Sequence, residues 1–123
     1  MKRLIDFFEI PATDFSRAVK FYETIFGITM ATFDCGNEKM AFFPGNNGKS
    51  QGAISWSSCF DFTPSAQGVL ISLNCEDISS MLELIEKNGG KTLIAKTKIE
   101  SDDRGYFAVF TDCEGNRLGL YSE

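Results

Sequence analysis

The chain repeats itself. Displaced by 63 residues, Asp14 falls on Asp77, Phe15 on Ile78, Ala18 on Met81, Val19 on Leu82, Tyr22 on Ile85 and Gly27 on Gly90. Both segments have helical periodicity: Phe15, Ala18, Val19, Tyr22 and Ile25 share one face of the first, and Ile78, Met81, Leu82 and Ile85 one face of the second. Asp14 and Asp77 stand at the N-cap positions, where a short carboxylate accepts from otherwise unpaired helix N–H groups. Gly27 and Asn88-Gly89-Gly90 are expected to supply the left-handed residues that end such helices. At 123 residues the chain is large enough for a real core but too short for two independent ones.

Around each helix the pattern turns to strand. Residues 4–10 precede the first helix, and runs at 28–33, 39–43 and 52–57 follow it; residues 69–74 precede the second helix, and runs at 91–95, 105–111 and 117–121 follow it. Turn chemistry separates them at Cys35-Gly36-Asn37, at Pro44 to Gly48 and at Asp112 to Asn116. The expected architecture is α+β: two βαβββ modules (about 1–57 and 68–123) joined by a linker over 58–67. A curved mixed sheet encloses a concave cavity, with the helices on the outer face. On the first strand, alternation sends Leu4, Phe8 and Ile10 to the helix side and Ile5, Phe7 and Glu9 to the concave side.

Several function classes are excluded before any family is considered. The chain has no histidine, so no Ser-His-Asp or Cys-His nucleophile, imidazole base or histidine metal site is available. A net charge of −5 argues against nucleic acid, which calls for a basic face, and permits a neutral or cationic small ligand. No apolar run approaches the length that spans a bilayer, and Met1-Lys2-Arg3-Leu4-Ile5-Asp6 does not read as a signal peptide. A cytoplasmic protein with no membrane partner is expected, and its four cysteines (Cys35, Cys59, Cys75, Cys113) read as reduced thiols.

The segment Phe7 to Asp14, with Ala18-Val19-Lys20-Phe21-Tyr22 and Ile25-Phe26-Gly27, resembles the opening of the vicinal oxygen chelate superfamily of glyoxalases, bleomycin-resistance proteins and dioxygenases. Phe107 to Leu118 resembles its closing strand, DPxGN-like turn and last strand, with Cys113 where proline is usual. The likeness covers nearly the whole chain and is greatest for the glyoxalase-related branch, in which the first strand carries a glutamate as Glu9 does here. Catalytic members hold a divalent metal through side chains on four strands. Carried over, those positions fall on Phe7, Ser55, Leu70 and Gly119, which offer at best one hydroxyl. The resemblance therefore implies no metal and no cofactor, and the reading leans away from an enzyme.

Phe7, Glu9, Ser55, Leu70, Ser72, Gly119 and Tyr121 are the expected ligand-binding residues on the concave face. Gly119 is expected to widen the pocket by lacking a side chain. Glu9, among phenylalanines, is the one candidate for acid–base work, favoured by a desolvated setting. Arg117 shares the face of Gly119 and is read either as neutralising Glu9 across the cavity or as a solvated strand-end charge; residues 98–104 read as a charged, solvated surface loop, with a cover over the cavity mouth as the alternative. The favoured reading is a metal-free binder of a small neutral or cationic ligand, acting as a homodimer. The alternatives are an enzyme of lyase or isomerase type using Glu9, and a structural or regulatory dimer without a pocket.

Overall fold

A computed structural model describes residues 4–100 and 105–123. In chain order the elements are β1 (Phe8–Pro11), α1 (Phe15–Phe26), β2 (Ala31–Asp34), β3 (Glu38–Phe42) and β4 (Gly52–Ser57), then β5 (Ser72–Asn74), α2 (Ile78–Lys87), β6 (Lys91–Lys98), β7 (Tyr106–Thr111) and β8 (Arg117–Ser122). A short 3₁₀ turn, Asn46–Gly48, lies between β3 and β4. The order is βαβββ twice. Hydrogen bonding divides the strands into two four-stranded sheets, β1-β4-β3-β2 and β5-β8-β7-β6, with β1 parallel to β4 and β5 parallel to β8. The remaining ladders are antiparallel.

Both helices start as their sequences predict. Asp14 accepts from the Arg17 backbone N–H at 3.2 Å, and Asp77 from that of Ser80 at 3.2 Å and from the Ser80 hydroxyl at 3.0 Å. Gly27 is left-handed (φ 63°), whereas Asn88 is not (φ −107°), and Gly89 takes the left-handed conformation after α2 instead. Gly90 serves close packing: a Cβ there would lie 2.5 Å from the Thr111 carbonyl oxygen.

The helices pack against each other and against one face of each sheet. Their buried faces (Ala18, Phe21, Tyr22 and Ile25; Ile78, Leu82 and Ile85) join Ile10, Ala41 and Ile54 from one sheet and Ala108, Phe110, Leu118 and Leu120 from the other in a single core. The helices leave the opposite faces of both sheets open, although Ala53 and Ser55 are themselves buried there. The division follows from period two: Ile54 points into the core, and Ala53 and Ser55 point to the other side.

The strand ends differ from expectation at β1 and β5. Leu4 (87% exposed) and Ile5 (77%) lie outside β1 and pack on neither face, and Asp6 is exposed with them. Val69 and Leu70 likewise precede β5. β1 pairs only where β4 lies beside it, from Phe8↔Gly52 to Pro11↔Ser55, and apolar composition alone does not extend a strand past its partner. In the charged loop expected at 98–104, residues 101–104 lie outside the described residues.

Candidate functional site

β1 carries Glu9 on the open side because Phe8 and Ile10 turn inward. Its partner in register is Ala53, and two residues along β4 the buried Ser55 hydroxyl donates to Glu9 Oε1 at 2.8 Å. Phe7 lies on the same side, 36% exposed, with its ring 6.1 Å from that of Phe42. Phe42 pairs with Ala53 and Met40 with Ser55, so both add apolar surface around the carboxylate. Glu9 is an exposed residue, not one enclosed by rings.

On the second sheet Ser72 pairs with Gly119, and Tyr121 follows two residues on. The space above Gly119 is taken by Ser72: a Cβ at 119 would come within 2.6 Å of Ser72 Oγ. The missing side chain therefore does not widen a pocket. Leu70, 45% exposed, stands before β5 on the side of Ser72. The seven expected residues thus form two groups, Phe7, Glu9 and Ser55 on one sheet, and Leu70, Ser72, Gly119 and Tyr121 on the other.

Two clefts lie between the first module and the second. One, of about 390 Å³, is walled by Phe8, Phe26, Ile28 and Phe43 and rimmed by Gln51, Ser72 and Asn74. The other, of about 220 Å³, is lined by Glu9 to Pro11 on one side and by Ile71, Asn116 and Arg117 on the other, with Phe62, Thr63, Ser65 and Gln67 alongside. The internal repeat relates the two clefts. Glu9-Ile10-Pro11 in one stand where Ser72-Leu73-Asn74 stand in the other, and Arg117-Leu118 where Gln51-Gly52 stand. The linker occurs once, so only the smaller cleft has it as a wall. Ser65 holds it to β8: its N–H donates to Asn116 Oδ1 at 3.1 Å, and its carbonyl accepts from the Arg117 N–H at 3.3 Å.

Arg117 does not neutralise Glu9. Its Nη2 donates to the Gly68 carbonyl at 3.3 Å, its buried Nε has no partner, and the two charges line one cleft without an ion pair between them.

A conserved-family model described as the Glyoxalase/Bleomycin resistance protein/Dioxygenase superfamily matches residues 4–120. The chain belongs to this superfamily. A "Glyoxylase-like domain-containing protein" of Didymella fabae is 34% identical over 113 residues, covering 88% of this chain and 84% of that protein. Among solved structures, a glyoxylase/bleomycin resistance protein/dioxygenase domain from Frankia sp. EAN1pec has a TM-score of 0.72 at 13% identity, over 99% of this chain and 98% of that one. Glyoxalase I from Zea mays has a TM-score of 0.67 at 16% identity, over 93% of this chain and 44% of that one. At these identities the structural likenesses show the fold.

Within this glyoxalase-like domain, register refines one carried-over position. Glu9 is the repeat counterpart of Ser72, and their partners are Ala53 and Gly119. Ala53 is therefore the counterpart of Gly119, and Ser55 that of Tyr121. Sequence reasoning missed Phe42, Met40 and Phe62. Alternation along β3 held a signal for the first two, but Phe62 lies in a segment without periodicity. No helix of the described residues is long and apolar enough to cross a membrane.

Proposed function

We propose that this glyoxalase-like domain is a metal-free small-molecule-binding protein whose ligand, partly apolar and neutral or cationic, lies against Glu9 on the open sheet face. The observation that carries this reading is the Ser55–Glu9 pair. One carboxylate oxygen is fixed at 2.8 Å by a buried hydroxyl, and the carboxylate stands beside the rings of Phe7 and Phe42. A fixed anion on an aromatic floor suits an amine with an apolar body.

The metal positions carried over from the superfamily do not fit a divalent cation. Phe7, Leu70, Gly119 and Ala53 or Ser55 offer at most one hydroxyl, and that of Ser55 is already given to Glu9. A stable shell calls for several oxygen, nitrogen or sulfur donors. Binding is favoured over catalysis because Glu9 is exposed, whereas a carboxylate tuned for acid–base work sits in an enclosed setting.

Exposed Phe7, Phe33, Leu70 and Ile94 on the open faces favour a homodimer that covers them. The test is a thermal-shift series with amphipathic amines: they raise the melting temperature of the wild type, and Glu9→Gln abolishes the shift while keeping its own melting temperature. No stabilisation by any amine refutes the ligand class. Sedimentation as a monomer at tens of micromolar refutes the dimer.

A further inference from the structure

The 220 Å³ cleft at the linker holds two opposite charges that are kept apart. Ser55 fixes one Glu9 oxygen, and on the other wall the Gly68 carbonyl takes Arg117 Nη2. The buried Arg117 Nε–H is left with no acceptor. A buried donor without a partner is costly, and an unpaired guanidinium N–H is among the strongest seekers of a carboxylate. Asn116 braces the wall between them, with its amide donating to the Pro11 carbonyl at 2.8 Å and its oxygen accepting from Ser65.

We propose that this cleft seats a small zwitterion, an amino carboxylate whose carboxylate accepts from Arg117 and whose ammonium group meets Glu9. The inference rests on the reading of Glu9 as a ligand-facing anion and adds the second pole. Two poles of opposite sign on facing walls match one molecule carrying both charges better than they match a monocation. The size sets a limit as well, since drug-sized ligands occupy pockets of about 300 Å³ and more. Thr63 and Gln67 add neutral polar groups beside the charges.

The test is calorimetric titration of the whole chain with glycine, 3-aminopropanoate and 4-aminobutanoate, alongside propylamine and propanoate. One amino carboxylate is expected to bind about tenfold or more tighter than either single-charge probe, as a charge-assisted hydrogen bond is worth about that factor. Arg117→Gln should remove this advantage, bringing the amino carboxylates to the affinity that the same variant has for propylamine. Arg117→Lys, which keeps the charge and loses the planar fork, should retain part of it and covers the case in which Arg117→Gln does not fold. Equal binding of amino carboxylates and propylamine overturns the zwitterion and leaves the Glu9 reading standing. So does an advantage that persists in both Arg117 variants. Failure of propylamine and of the amphipathic amines together overturns the Glu9 reading as well.

Discussion

Tyr22 on α1 donates its phenolic hydrogen to Asp112 Oδ2 across 2.6 Å, joining residues ninety positions apart inside the core. Asp112 begins the turn between β7 and β8, where its Oδ1 also accepts from the Glu114 and Asn116 backbone N–H groups at 2.9 Å each. Asn116 Nδ2 reaches both Asp112 Oδ2 and the Pro11 carbonyl. The first helix, the last turn and the end of β1 are thus fastened at one buried carboxylate.

Removing the hydroxyl tests that fastening. Tyr22→Phe is expected to destabilise the domain by about 1–3 kcal/mol, because the buried carboxylate loses an acceptor site's partner while the ring packing is kept. Urea unfolding of Tyr22→Phe, Asp112→Asn and the double variant measures it. Additive losses would show that the two side chains act independently.

Alkaline pH should act through the same place. Burial, then the Asp112 charge, holds the Tyr22 hydroxyl well above its usual range, and burial followed by the Asp112 charge pushes the Cys113 thiol up to about 11. Both groups keep their protons in the folded state after the unfolded chain has lost them. Stability is therefore complete below the unfolded values and declines as pH rises, from about 9 through Cys113 and from about 10 through Tyr22. Unfolding measured from pH 8 to 11 should show a shallower decline in Cys113→Ser over the lower part and in Tyr22→Phe over the upper part. Unchanged slopes would refute the assignment.

Cysteine reactivity should separate by burial. Cys35 and Cys59 are exposed, whereas Cys113 is half-buried, with its thiol raised to about 11. The thiolate is the reactive form, so at pH 8 Cys113 should alkylate more than tenfold slower than the exposed pair. Mass spectrometry of a timed iodoacetamide reaction reads the order directly.

A side chain at Gly119 should be tolerated at a small cost. Gly119→Ala is expected to cost about 1 kcal/mol or less, because the exposed Ser72 hydroxyl can rotate away and leaves only ordinary contacts at 3.4 and 3.5 Å. Ser72→Ala should recover much of that loss, because the crowding atom is Ser72 Oγ at 2.6 Å. Losses that merely add in the double variant would place the strain elsewhere.

Much of this architecture was legible in the residues. Phe15, Ala18, Tyr22 and Ile25 announced α1, Asp14 and Asp77 its cap and that of α2, and β4 was readable to its ends at Gly52 and Ser57. These features depend on neighbours within a few positions, so periodicity and capping chemistry reach them. The candidate site was legible only in part. Alternation put Phe7 and Glu9 on one side of β1, but it did not show that Ser55 hydrogen-bonds Glu9, or that Ser72 fills the space above Gly119.

By itself, then, the sequence determined the repeated βαβββ order, the inward and outward faces of the strands and the absence of imidazole chemistry, because each is local or compositional. Only the tertiary structure decided where β1 and β5 begin, that Glu9 and Arg117 share a cleft without pairing, and that Tyr22 closes on Asp112. Those outcomes depend on chain segments many tens of residues apart meeting, within a module for the strand limits and at the seam between the modules for the rest. No repeating pattern along the chain encodes such a meeting.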